Sequence, residues 1–80
     1  MANEVEYHIK IDKQSYEVST RYITGREILT LAKKIPPEQF ELRQKMHGGT
    51  TKKIGLDETV DLADPGVERF MTLPLDQQEG

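Results

Sequence analysis

Apolar and polar residues alternate with a period of two along the first part of the chain. Residues 6–12 follow this pattern, and residues 15–20 repeat it with Tyr16 and Val18 on the apolar side. A period of two is typical of a strand with one buried face. We therefore predict a hairpin with a tight turn at Lys13 and Gln14. The inward residues of the first strand are Tyr7, Ile9 and Ile11.

A helix is predicted to begin after Thr24. Thr24 and Glu27 have the spacing of a capping box, in which each side chain accepts a hydrogen bond from the backbone N–H of the other residue. Ile23 and Ile28 flank this cap at the spacing of a hydrophobic staple.

The residues after the cap predict the buried stripe of the helix and its end. We expect Lys33 and Lys34 in the last turn, where positive charges complement the helix dipole. Pro36 and Pro37 are expected to stop the helix. The apolar stripe at helical spacing consists of Ile28, Leu31, Ala32 and Ile35.

Two further strands are predicted on either side of a glycine pair. Residues 39–46 alternate with Phe40 and Leu42 inward, and residues 52–54 form a short strand. Gly48 and Gly49 lie between them, where glycine supplies the positive φ of a hairpin turn. We interpret the pair as structural and not as a processing site.

The remaining residues predict an irregular segment and a last strand. Residues 55–64 show no regular pattern, and Asp64, Pro65 and Gly66 predict a turn before a strand over residues 68–75. Pro74 is expected to interrupt the hydrogen-bond ladder near the end of that strand. The irregular segment is anchored by Leu56, Val60 and Leu62.

The order of these elements predicts an α+β fold. A sheet with one apolar face and a helix with one apolar stripe bury both by packing the helix across the sheet. The predicted core consists of Ile9, Ile11, Val18, Ile28, Leu31, Phe40, Leu42 and Phe70.

The last predicted strand carries apolar residues on both faces. Phe70 and Thr72 share one face, and Met71, Leu73 and Leu75 share the other. Two interpretations stay open: the second set is a patch that binds a partner, or a bulge turns both sets toward the core.

Composition and charge exclude several classes of function. Eighty residues make one small domain. The net charge is −3 without a basic block, so we predict no nucleic-acid binding. The absence of cysteine excludes disulfides and thiolate catalysis, and it fits a cytoplasmic location. No apolar run approaches the ~20 residues that span a bilayer, so no membrane association is predicted.

Residues that could support catalysis or bind a metal are few. His8 lies on a polar strand face and His47 in a turn, without a nucleophile motif, so we expect that the chain is not an enzyme. A carboxylate cluster lacks the spacing of a calcium loop, so no metal site is predicted. We interpret it as turn caps and a solvated face: Asp57, Glu58, Asp61 and Asp64.

The last five residues are a polar run that closes in glycine. We predict a domain over residues 1–75 and a flexible tail over residues 76–80. Extended at about 3.3 Å per residue, such a tail reaches ~16 Å. Glycine has no Cβ, so it fits a narrow enzyme channel and leaves its carbonyl open to attack. Gly80 is the predicted reactive residue, and its tether and docking sequence is Asp76, Gln77, Gln78 and Glu79.

Several stretches of the chain resemble a known family. Residues 23–28 read Ile-Thr-Gly-Arg-Glu-Ile, residues 55–62 read Gly-Leu-Asp-Glu-Thr-Val-Asp-Leu, and residues 65–70 read Pro-Gly-Val-Glu-Arg-Phe. Over nearly its whole length the chain resembles the bacterial multiubiquitin-domain family. That resemblance implies a ubiquitin-like β-grasp, a mixed sheet of four to five strands with one helix packed across it. The chain departs from ubiquitin in its Glu79-Gly80 end and in Arg43, which stands where ubiquitin places an aliphatic recognition residue.

The same resemblance implies a bacterial ubiquitin-like protein modifier. An activating enzyme would use ATP to activate Gly80, a conjugating enzyme would pass it to a target through an isopeptide or ester linkage, and a JAB-type metallopeptidase would be a further partner. The chain itself would need no cofactor. Two alternatives stay open: a sulfur carrier that forms a C-terminal thiocarboxylate, and a non-conjugated β-grasp interaction module.

Overall fold

Short strands around one helix make up residues 6–75, which are the residues that the computed structural model describes. The helix is α1 (Gly25–Leu31), and two 3₁₀ turns lie at Pro37–Gln39 and His47–Gly49. The strands are β1 (Tyr7–Ile11), β2 (Gln14–Val18), β3 (Tyr22–Thr24), β4 (Phe40–Lys45), β5 (Thr51–Ile54), β6 (Thr59–Asp61) and β7 (Arg69–Pro74).

Five of these strands form one mixed sheet in the order β2-β1-β7-β4-β5. β1 and β7 are parallel, and the other neighbours are antiparallel. The α+β prediction of a mixed sheet with one helix is therefore confirmed. β3 and β6 pair separately as a small antiparallel ribbon. This ribbon corrects the prediction that residues 55–64 are irregular, since three residues are too short a run for alternation to reveal.

The first hairpin turns one residue earlier than its pattern predicts. Asp12 and Lys13 both have positive φ, at 51° and 75°, while Gln14 already pairs with Ile11. Two central residues with positive φ define the type I′ turn that suits a two-residue hairpin. The predicted Lys13–Gln14 turn is wrong because neither turn residue is glycine, the usual signal for this conformation.

A carboxylate extends the pairing between β1 and β7 beyond the end of β1. The Asp12 N–H donates to the Phe70 carbonyl at 3.0 Å. One oxygen of the Asp12 carboxylate accepts from the Thr72 N–H at 2.9 Å, and the other accepts from the Thr72 hydroxyl. The side chain thus supplies an acceptor to β7 where the backbone of β1 turns away.

Helix α1 begins as predicted. The Thr24 N–H donates to the Glu27 carboxylate at 2.9 Å, and the Glu27 N–H donates to the Thr24 hydroxyl at 3.2 Å, which confirms the capping box. Two further N–H groups of the first turn, those of Gly25 and Arg26, donate to carbonyls of the segment before β6. The unpaired donors of the helix start are thereby satisfied.

The end of α1 corrects two predictions. The helix stops at Leu31, because Lys33 has a φ of 62° and donates to the Thr30 carbonyl, while the Lys34 N–H donates to the Leu29 carbonyl. These two bonds are a Schellman motif, which closes a helix one residue after its cap. The lysines therefore follow the helix instead of lying in its last turn, and the stop precedes the two prolines.

The core lies between α1 and one face of the sheet. Most of the predicted core is buried, although Leu31 and Phe40 are only partly buried at its edge. Ile35 is 65% exposed, which corrects its place in the helical stripe, because the helix ends before it. Leu29, which the predicted stripe did not include, is fully buried. The buried residues are Ile9, Ile11, Val18, Ile23, Ile28, Leu29, Leu42, Ile54, Val60, Leu62 and Phe70.

Candidate functional site

The predicted reactive residue, Gly80, and its tether of residues 76–79 lie outside the described residues. The structure does describe the strand that leads into them. β7 is the middle strand of the sheet, with β1 on one side and β4 on the other. Directly after it, the Leu75 N–H donates to the Gln39 carbonyl at 2.9 Å. The tail therefore follows a strand that is held from both sides.

The two faces of β7 are cleanly separated. Five consecutive residue pairs join β4 and β7 in regular antiparallel register, so the interpretation with a bulge is wrong. Phe70 is buried and Thr72 is half-buried on the inner face, with Leu42 opposite Thr72. Met71 and Leu73 consequently lie on the outer face.

The outer residues of β7 present an exposed apolar strip. Met71 is half-buried, whereas Leu73 is 39% exposed. Leu75 follows the strand and is 42% exposed. These three residues form the predicted partner patch, and its binding role stays a prediction.

A fixed arginine borders this patch. Arg43 lies opposite Met71, and Glu41 lies opposite Leu73. The Arg43 guanidinium donates to the Thr51 hydroxyl at 2.7 Å and forms an ion pair with Glu41. Arg43 thus lies on the outer face, where its guanidinium is held by Thr51 on β5 and by Glu41 on its own strand.

The carboxylates of the segment before and within β6 serve structural purposes. The Asp61 carboxylate forms a bidentate pair with Arg21 at 2.8 and 3.0 Å and accepts from the Ala63 N–H at 3.0 Å. The hydrogen bond from Arg21 is the main cause that lowers the pKa of Asp61, and the same pair raises the pKa of Arg21. Glu58 accepts from the Gly55 N–H at 3.0 Å. The interpretation as turn caps is confirmed for Glu58 and Asp61.

A second ion-pair group ties the helix start to the 3₁₀ turn before β4. Arg26 lies 2.6 Å from the Glu38 carboxylate and 3.5 Å from that of Asp57. The pKa of Glu38 is lowered first by its own backbone N–H and then by Arg26. All three side chains are substantially exposed, so the group connects surface segments and forms no enclosed pocket.

The two histidines lie at separate, exposed positions. His8 lies 3.7 Å from the exposed Glu17 carboxylate, and His47 lies in a 3₁₀ turn. Among residues 6–75, no group of three or more His, Cys, Asp or Glu side chains is arranged to bind a metal ion. Within the same part of the chain, no helix is long and apolar enough to cross a membrane.

The glycine pair has the structural role that its sequence predicts. Gly48 and Gly49 have φ values of 87° and 89° in the turn between β4 and β5. L residues rarely adopt these values, so glycine is required there for conformational reasons.

The structure brings together three basic residues that the sequence did not connect. Lys10 is the cross-strand partner of Arg69, and Lys45 follows Gln44, whose partner on β7 is Phe70. Alternation with the inward residues places each lysine on the outward side of its own strand. Their proximity depends on the strand order, which the alternation pattern does not give.

The family assignment agrees with this architecture. The multiubiquitin family model matches residues 7–74, from the first residue of β1 to the last residue of β7. No curated protein and no solved structure matches the chain. The chain belongs to the multiubiquitin family and has a ubiquitin-like β-grasp fold.

Proposed function

We propose that this chain is a ubiquitin-like protein modifier that partner enzymes activate at Gly80. The observation that carries the proposal is the family match, which ends at Pro74, shortly before the polar residues 76–79 and Gly80. In this proposal the chain is the substrate of the pathway and not an enzyme. ATP, the activating enzyme, the conjugating enzyme and the metallopeptidase belong to its partners.

The proposed chemistry begins with an unreactive carboxylate. A C-terminal carboxylate is ionised at neutral pH and resists nucleophilic attack. Its oxygen attacks the α-phosphorus of ATP, and pyrophosphate leaves. A cysteine thiolate of a partner then attacks the acyl carbon and expels AMP. Finally, a target amine or hydroxyl attacks the thioester, loses its proton and releases the thiol.

Hydrogen bonds hold the end of β7, from which the tail continues. The Asp12 carboxylate holds Thr72, and the Leu75 N–H is bound to Gln39. A partner that binds the sheet therefore also fixes the position at which the tail starts. The strip of Met71, Leu73 and Leu75 lies at that position and is the surface that we propose for docking the activating enzyme.

Intact-mass measurement tests the proposal and its two alternatives. The full chain is incubated with the proposed activating and conjugating enzymes, with ATP, and with or without a sulfide donor. A covalent adduct on another protein supports the modifier. Exchange of one oxygen for sulfur supports a sulfur carrier, and an unchanged mass supports an interaction module; either result would reject the modifier.

A matched pair of variants tests the docking patch. Leu73→Ser removes an apolar contact beside the tail, and Tyr22→Ser removes the 56% exposed aromatic side chain on the separate ribbon. We expect Leu73→Ser to slow adenylate formation about tenfold, which corresponds to the loss of about 1.4 kcal/mol of interface contact, whereas Tyr22→Ser leaves it unchanged. Equal rates for the two variants would remove the patch from the proposal and leave the role of Gly80 intact.

A further inference from the structure

Three basic side chains lie in one row across the outer face of the sheet. Lys10 and Arg69 are cross-strand partners on β1 and β7. Arg43 is the cross-strand partner of Met71 on the outer face. Lys45 lies two residues after Arg43, and Arg69 lies two residues before Met71. Residues two apart on a strand share a face, so Lys45 and Arg69 also lie on the outer face. With neighbouring strands about 4.8 Å apart, the row spans roughly 10 Å.

This row is unfavourable for the isolated domain. Like charges on neighbouring strands destabilise a sheet. Within residues 6–75, none of the three side chains takes part in an ion pair or a side-chain hydrogen bond, in contrast to Arg21, Arg26 and Arg43. Residues that lower the stability of their own fold are expected at functional sites.

The row lines a shallow hollow of ligand size. A hollow of about 320 Å³ is bounded by these three residues together with Lys13 and Phe70. A wider groove of about 690 Å³ continues from it along the turn between β4 and β5 and includes Met71. Glu68 lines that groove and makes no ion pair with a neighbour among the described residues. Four cations therefore converge on one hollow in a chain whose net charge is −3.

We propose that this hollow binds an acidic, extended segment of a partner protein. Four consecutive residues of an extended peptide span about 10 Å between their outer Cα atoms, at about 3.3 Å per step, which matches the length of the row. Residues two apart on such a peptide point to the same side, so alternate carboxylates of an acidic run can pair with cations of the row, and an apolar residue after the run can contact Met71. The site is non-covalent, lies at the start of β7, and does not depend on the chemistry of Gly80.

The same features disfavour a nucleic acid. The net charge of −3 repels a long polyanion. Single-stranded nucleic acids bind to aromatic stacking platforms, but the aromatic residues of the five-stranded sheet belong to its inner face and core. They are Tyr7, Tyr16, Phe40 and Phe70.

The test uses the full chain and a blocked hexapeptide with four consecutive glutamates followed by leucine and glycine. Amide chemical shifts and titration calorimetry are recorded at low and moderate salt. We expect shifts confined to the ends of β1, β4 and β7, and an affinity that falls as salt is added. Shifts spread evenly over the surface would overturn the proposal, as would equal affinity for a control peptide in which glutamines replace the four glutamates.

Charge-matched variants locate the binding. Lys45→Gln and Lys10→Gln should each weaken binding roughly two- to fivefold, the effect of one exposed ion pair. Lys33→Gln removes the same charge beyond the end of α1 and should leave the affinity unchanged. Because the variants in the row relieve repulsion, their melting temperatures should stay equal or rise. Equal losses for all three variants would contradict the proposal, as would tighter binding to oligothymidylate or to anionic vesicles than to the peptide.

Discussion

The inner and outer faces of the five-stranded sheet follow different physical rules. The inner face packs apolar side chains against α1, and its central residues are almost completely buried. The outer face carries an ion pair between Glu41 and Arg43, an apolar strip on β7 and a row of cations without partners among the described residues. Alternation of side chains along each strand places these two environments only one residue apart.

The difference between the two faces indicates that inner residues stabilise the fold and outer residues are available for binding. Inner residues are selected by shape and volume, so their replacement should change stability. Outer residues such as Leu73 and Lys45 contribute little to packing, so their replacement should change binding while the domain stays folded. β7 belongs to both faces, which is why the strand that precedes the tail can be both firmly held and accessible.

The largest effect is expected from Leu29. Leu29→Ala removes a fully buried side chain from α1 and should lower the free energy of unfolding by about 2–5 kcal/mol. Leu31→Ala should cost clearly less, because that side chain is only partly buried. Urea denaturation of both variants measures the difference. A larger loss for Leu31→Ala would contradict the inner face as described.

A close backbone approach at the helix start gives the next effect. An added Cβ at Gly25 would stand 2.3 Å from the Gly55 carbonyl oxygen, which belongs to backbone and cannot swing aside. Gly25→Ala should therefore destabilise the domain by about 1–3 kcal/mol. The matched variant Gly55→Ala meets only ordinary contacts and should cost less. Thermal melts of the two variants measure the difference in stability. An unchanged melting temperature for Gly25→Ala would contradict this close contact.

A smaller effect is expected where Asp12 holds β7. Asp12→Ala leaves the Thr72 N–H and hydroxyl without their acceptor and should cost about 1–2 kcal/mol. Amide hydrogen exchange should accelerate at Thr72 more than at Leu42 on the neighbouring strand. Unchanged exchange at Thr72 would mean that the carboxylate does not hold this strand.

The smallest effect concerns pH and the exposed pair of Arg21 and Asp61. The pKa of Asp61 is lowered in the folded state, so its stabilisation is present above the pKa of the unfolded chain and is lost as pH falls through the folded value. As pH falls through this range, the denaturation midpoint of Arg21→Gln should therefore decrease less than that of wild type. The midpoint of Lys33→Gln should decrease as much as that of wild type. Identical pH profiles for wild type and Arg21→Gln would contradict the assignment.

Local signals predicted much of the fold. The capping box at Thr24, the alternation in β1 and β4 and the turn glycines all depend on residues close in sequence, and each is confirmed. The helix end was missed because Lys33 adopts a left-handed conformation that glycine usually takes. β6 was missed because only its pairing with β3 makes it a strand.

The candidate site was less predictable from sequence. The outward direction of Met71 and Leu73 followed from alternation, but the choice against a bulge required the register with β4. The cation row required the strand order, since Lys10, Lys45 and Arg69 are far apart in sequence and meet only because β7 lies between β1 and β4. The role of Gly80 rests on the family and on the tail sequence.

Pyrophosphate exchange by the partner activating enzyme tests the central claim most directly. The full chain, a variant that lacks Gly80, and Gly49→Ala are compared with ATP and labelled pyrophosphate, and each is melted in parallel. Deletion of Gly80 should abolish exchange and leave the melting temperature unchanged. Gly49→Ala should lower the melting temperature, because it forces a side chain into a φ of 89°, and should retain exchange while folded. Full exchange without Gly80 would contradict the proposal that this residue is the one activated.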